Sequence, residues 1–130
     1  MRIVVGYIPT PEGRAAFDRA VARAQQESAK LVVVNTTHLG RTSHANSASP
    51  EDLENLTTQT AEAGVECEVR QKDTSSDAAQ QILTVALDVD AELIVIGMRR
   101  RSPVGKVFMG STAQSVLLGA SCDVLAVKAP

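Results

Sequence analysis

Within eight consecutive positions of this 130-residue chain stand Arg99, Arg100, Arg101 and Lys106, with no acid among them. Gly97 precedes this cluster, and Gly110-Ser111-Thr112-Ala113 follows it. Gly97 closes an apolar run and Gly110 opens a segment of helical periodicity. The first N–H groups of a helix have no internal acceptor, and its dipole favours negative charge there. A glycine start followed by two hydroxyls therefore suits an anion, with backbone donors at its centre and Arg or Lys at its rim. The same residue types also describe a capped helix beside a solvated charged loop. Spacing alone leaves both readings open.

The charge distribution narrows the choice of anion. Net charge is −2, but residues 1–96 carry 8 basic and 14 acidic side chains, whereas residues 97–130 carry 5 and 1. A short basic cluster on an acidic protein suits a small anionic ligand better than a nucleic-acid surface. Only Tyr7, Phe17 and Phe108 are aromatic, which argues against stacking on single-stranded bases. Cys67 and Cys122 have no metal or redox spacing and are expected as buried, reduced thiols. With no signal-peptide pattern and no apolar run of membrane length, the expected compartment is the cytoplasm.

Apolar residues make up 44% of the chain, enough for one domain over residues 1–130 with a Val, Ile, Leu and Ala core. Apolar runs alternate with helical segments, the pattern of a parallel sheet with crossover helices. The first strand is 3–7. Thr10 and Pro11 start a helix over 11–28 with Phe17, Ala20, Val21 and Ala24 on its buried face. The second strand is 31–34, and the polar stretch 38–50 is a loop. A second helix starts near Ser49-Pro50 and stops at Gly64. Leu53, Leu56 and Ala63 are its only buried candidates, so loose attachment is expected. The third strand, 65–70, alternates apolar Val65, Cys67 and Val69 with Glu66, Glu68 and Arg70, as at a sheet edge. Ser75 or Ser76 is expected to cap a third helix that buries Ala79, Ile82, Leu83 and Ala86. A fourth strand follows at 93–96. The last helix buries Ala113, Val116 and Leu117, and the fifth strand is 124–127.

Right-handed crossovers and short connections make this an α/β fold, one open five-stranded parallel sheet of order 3-2-1-4-5 with helices on both faces. The winding reverses between strands 1 and 4, and ligands bind outside the carboxyl ends of strands at such a point. Strand 5 is apolar on both faces yet lies at an edge. A second copy of the chain is its expected cover, giving a homodimer through strand 5.

From Leu93 to Lys128, the succession of strand, Gly97, basic loop, Gly110-Ser111-Thr112, helix and Val124-Leu125-Ala126-Val127 resembles the C-terminal half of universal stress proteins. The family pattern is glycine, two residues, glycine, nine residues, then glycine with Ser or Thr. Gly97, Gly110 and Ser111 match it. The resemblance extends over essentially the whole chain. It implies a regulatory domain that binds an adenine nucleotide, commonly dimeric through the last strand and without a defined reaction. On that resemblance the nucleotide-binding residues are Ile8, Pro9, Thr10, Thr36, Gly97, Arg99, Arg100, Gly110, Ser111, Thr112 and Ala113, with Thr36 at a position whose backbone meets adenine. Two departures stand out. Arg100 replaces the second glycine, and its fork can still hydrogen-bond phosphate while narrowing the cradle. Ile8 stands where ATP-binding members carry an acid, and isoleucine neither accepts from a ribose hydroxyl nor supports a metal. ATP or a related adenine nucleotide is the expected ligand, with weak magnesium dependence.

Other α/β readings fail on particular residues. A phosphate-accepting receiver domain needs paired acids after strand 1, where Gly6-Tyr7-Ile8-Pro9-Thr10 has none. Gly105-Lys106 is followed by Val107 rather than Ser or Thr, so it is not a P-loop, and no GxGxxG follows strand 1. His38 and His44 read as solvated loop residues, and Glu66 and Glu68, with no partner chemistry, as a wet strand face that discourages edge pairing. No general base or nucleophile falls in the crevice, so no enzyme with substantial turnover is expected. The alternative to a nucleotide-binding regulator is a stress-response interaction module with a degenerate site, without nucleotide.

Overall fold

The computed structural model describes residues 1–36, 49–71, 77–99 and 110–129. Its strands are β1 (Arg2–Tyr7), β2 (Lys30–Asn35), β3 (Cys67–Gln71), β4 (Leu93–Met98) and β5 (Asp123–Lys128). Between them run α1 (Pro11–Glu27), α2 (Pro50–Glu62), α3 (Ala78–Asp88) and α4 (Ser111–Gly119). Every neighbouring pair is parallel, in the expected order β3-β2-β1-β4-β5.

Strand alternation divides the core into two layers. Ile3, Val5, Leu31, Val33, Leu93 and Val95 pack against α1 and Leu56 of α2. Val4, Val32, Val34, Ile94 and Ile96 pack against α3 and α4. Because helices cover both faces, β1, β2 and β4 are apolar on both sides.

Local capping starts three of the helices. The Thr10 hydroxyl accepts from the Gly13 N–H at 3.1 Å, and Pro11 supplies the preset φ of the first turn. Ser49 and Asp52 form a reciprocal capping box on α2. The expected cap of α3, Ser75 or Ser76, lies outside the described residues. Asp77 does that work instead, accepting from the Gln80 N–H at 2.8 Å. A carboxylate adds attraction to the helix dipole that a hydroxyl lacks.

Several expectations are corrected by packing. Val65 and Glu66 precede β3, which runs on to Gln71. Leu83 and Leu53 are only partly buried, whereas Val85 and Gln81 of α3 are buried. Leu117 is 38% exposed rather than buried, because only Ala113 and Val116 of the short α4 reach the sheet. Helix α2 is loosely attached, as expected: only Leu56 and Thr60 are buried, and exposed polar contacts join it to α1. Gln59 accepts from Arg14 and donates to Asp18, and Gln25 donates to the Ala63 carbonyl. Glu66 and Glu68 engage in surface ion pairs: Lys30 bridges both, and Arg70 pairs with Glu68 while approaching Asp88 of α3. Cys67 and Cys122 are half-buried rather than buried, and both are free thiols.

Candidate functional site

The strand ladders locate a split in the sheet. Strand β1 pairs with β4 only as far as Val5 opposite Val95. It stays paired with β2 through Tyr7 opposite Asn35, and β4 stays paired with β5 through Met98 opposite Lys128. The two halves therefore part at their carboxyl ends, where the winding direction reverses. The β1–α1 connection and the carboxyl end of β4 border the opening.

The β1–α1 turn is built tightly. The Thr10 N–H donates to the Ile8 carbonyl at 2.8 Å, and the Thr10 side chain caps α1. A Cβ on Gly13 would collide with the carbonyl oxygen of Ile8, so only glycine lets the helix close against this turn. Gly13 escaped the sequence reading because no spacing rule marks a close approach between a strand end and the next helix. Ile8 and Thr10 are half-buried and Pro9 is exposed. Pro9 and Thr10 border a depression of about 450 Å³ shared with Tyr7, Pro11, Arg14, Asp52 and Asn55. The Tyr7 ring stands edge-on to Phe17, with the Arg14 guanidinium 5.7 Å over the Phe17 ring. Burial pushes the Tyr7 hydroxyl pKa up. A comparable depression of about 490 Å³, near Met1, Lys30 and Glu66, lies at the opposite, amino end of the strands. Ligands of open parallel sheets bind at the carboxyl rather than the amino ends of the strands.

On the other side of the split, Gly97 belongs to β4 rather than to the loop after it. The backbone of Glu12 lies where its Cβ would be. Its absent side chain therefore admits α1. Arg99 is exposed and carries a partner that the sequence did not suggest: its Nε lies 4.0 Å from Glu12 Oε1, across the mouth of the split. Glu12 is thus a site-proximal acid on α1, its side chain only 18% exposed.

Among the described residues, no side chain caps the start of α4. Gly110 has φ −65° and ψ 159°, an extended conformation open to any residue, and no described atom lies within 4 Å of where its Cβ would be. The first internal bond of the helix is from the Gln114 N–H to the Gly110 carbonyl. That leaves the N–H groups of Ser111, Thr112 and Ala113 without an intrahelical acceptor. Ser111 is exposed, Thr112 half-buried, and the Ala113 methyl packs in the core. This end of α4 has the chemistry of a phosphate seat, with backbone donors, a hydroxyl on each side chain of the first two residues, and helix-dipole attraction.

Among the expected site residues, the structure thus brings Ile8, Pro9, Thr10, Gly97 and Arg99 to the two lips of the split. It puts Gly110, Ser111, Thr112 and Ala113 at the start of α4. Arg100 lies outside the described residues, as do Arg101, Lys106, His38 and His44. Thr36 is buried at the end of β2, its N–H donating to the Tyr7 carbonyl at 3.4 Å. Among the described residues, no group of three His, Cys, Asp or Glu side chains is disposed to hold a metal ion, and no helix is long and apolar enough to cross a membrane.

Residues 1–128 match the model of the universal stress protein family. This chain belongs to the universal stress protein family. A universal stress protein of Mycolicibacterium smegmatis is 40% identical over 126 residues, covering 97% of this chain and 96% of that one. The structure of a universal stress protein from Archaeoglobus fulgidus superposes with a TM-score of 0.82 at 30% identity, covering 98% of both chains. Two further family folds were solved with nucleotide. One, from Archaeoglobus fulgidus, is in complex with dAMP (TM-score 0.70, 21% identity, 98% of each chain). The other, from Arabidopsis thaliana, has AMP bound (TM-score 0.68, 18% identity, 100% of this chain and 92% of that one). Family membership confirms the resemblance carried by Gly97, Gly110 and Ser111.

Proposed function

We propose that this universal stress protein is a cytoplasmic regulatory domain over residues 1–130 that binds an adenine nucleotide, ATP or a relative, in the split between β1 and β4. The observation that carries this reading is the uncapped start of α4. Helices α1, α2 and α3 use a side chain to satisfy their first N–H groups, whereas among the described residues no side chain does so for α4. A phosphate is the natural acceptor for those donors. Arg99 adds positive charge at the rim, and the dAMP and AMP complexes of two proteins of the same fold support an adenine nucleotide as the ligand.

Ile8 shapes the proposal at the nucleoside end. Its side chain offers no acceptor to a ribose and no ligand to magnesium, so affinity should come from phosphate contacts and depend little on the metal. The protein reports the bound state rather than turning substrate over. The sheet edge at β5, with Val124, Leu125 and Ala126 half-exposed, is the surface through which two copies would associate. A second reading, an interaction module without nucleotide, draws on that edge and on Leu118, which is 81% exposed on α4.

Mass spectrometry of the supernatant from denatured, freshly purified protein separates the two readings, followed by calorimetric ATP titration with and without magnesium. Released adenine nucleotide or measurable ATP binding supports the nucleotide reading. Neither signal favours the interaction module. Light scattering across a concentration series tests association, and a concentration-independent monomer removes the homodimer.

A further inference from the structure

Strand β2 is an unbroken apolar run, Leu31-Val32-Val33-Val34, until it reaches Asn35, which is fully buried. Asparagine is disfavoured in strands, and burying its amide brings stability only if both ends are satisfied. What the amide does here is specific. Its Nδ2 donates to the Tyr7 carbonyl at 3.0 Å, and its Oδ1 accepts from Gln71 Nε2 at 2.6 Å. Tyr7, Asn35 and Gln71 are register partners across β1, β2 and β3, so the contact crosses the carboxyl end of half the sheet.

The position of that contact matters. Tyr7 is the last residue of β1, two positions beyond the point where β1 leaves β4, and the next residues form the Ile8–Thr10 turn. The backbone bond there, from the Thr36 N–H to the Tyr7 carbonyl, is long at 3.4 Å. The shorter bond comes from the Asn35 side chain. Gln71 donates to the Oδ1 of Asn35, which leaves the NH₂ of that amide facing Tyr7.

We infer that Asn35 is a positioning residue: it holds the end of β1 toward β2, keeps the β1/β4 split open, and fixes the turn that forms one lip. It contributes no contact to ligand. Its effect on binding rests on the nucleotide reading above, while its effect on the turn does not.

The test uses the full chain with two substitutions. Asn35→Asp is isosteric and keeps the acceptor for Gln71 but loses the donor to Tyr7. Asn35→Leu removes both, and exposed Gln71 can then turn to water. Calorimetric ATP titrations are run below the melting transition, with amide exchange followed by NMR. Both variants are expected to bind ATP about tenfold more weakly, the scale of one lost hydrogen bond. Exchange should accelerate at the Thr10 and Gly13 amides and stay unchanged at Val5 and Val33. Wild-type affinity and exchange in both variants would overturn the inference. So would a uniform acceleration through the core with unchanged affinity, the mark of a merely structural residue. If wild-type protein binds no ATP while exchange still rises at Thr10 and Gly13, the nucleotide reading fails and the clamp stands.

Discussion

The main chain of Glu12 occupies the place where a side chain on Gly97 would begin, and Glu12 Cβ lies 3.1 Å from that point. Strand β4 and the first turn of α1 are therefore in backbone contact at the mouth of the split. Gly97 and Gly110, which the sequence pattern treats alike, consequently have different jobs. Gly97→Ala should destabilise the fold by about 1–3 kcal/mol, because backbone rather than a flexible side chain must move. Gly110→Val meets no described atom and should cost less than about 1 kcal/mol, the scale of a changed N-cap. It should nevertheless abolish ATP binding by filling the seat. Urea melts read the first effect and calorimetry the second.

Removing the Asp77 cap should loosen α3. Asp77→Ala is expected to lower stability by about 1 kcal/mol, and Asp77→Ser to recover most of it through the same Gln80 N–H. Chemical denaturation at neutral pH with unchanged m-value would identify the loss as a cap effect.

The Glu68 carboxyl is held below the usual carboxylate range, first by its hydrogen bond to Arg70 and then by Lys30. A lowered pKa in the folded state contributes stability above the unfolded glutamate value of about 4.3 and loses it as pH falls through the folded value. The pair is half-exposed, so its contribution is below about 1 kcal/mol and shrinks with salt. Glu68→Gln should therefore be slightly destabilised at pH 7 and should show a shallower fall in stability below about pH 4.3. Thermal melts from pH 7 to pH 3, at low and high salt, check both.

Burial pushes the thiol pKa of Cys67 up, and burial followed by the Asp123 charge does so for Cys122. Both should be fully protonated at pH 7 and react more slowly with a disulfide reagent than a free cysteine thiol. In urea the two should react at the free-thiol rate. A fast-reacting thiol in the folded protein would contradict the burial assigned here.

Much of the architecture was legible because it depends on local patterns. Apolar runs at β2 and β4, the Thr10-Pro11 start of α1, and the edge alternation of Cys67, Glu68, Val69 and Arg70 are each readable over a few residues. What escaped depends on distant neighbours. Lys30 finds Glu66 and Glu68 only because β2 and β3 are adjacent, Arg14 finds Gln59 across two helices, and Leu117 is left half-exposed by the shortness of α4. Asp77, rather than Ser75 or Ser76, starts α3 because a cap is chosen by where the first turn closes against the sheet.

The glycine pattern followed the same division. By itself the sequence determined the alternation of strands and helices and, through the handedness of crossovers, the strand order. These follow from periodicity, sterics and backbone hydrogen bonding, which act along the chain. Only the tertiary structure decided that Gly97 admits Glu12 while Gly110 precedes a helix start that no described side chain caps, that Gly13 is needed beneath Ile8, and that the Asn35 amide meets the Tyr7 carbonyl. Those are contacts between segments far apart in sequence, and their consequences depend on distances that no local pattern encodes.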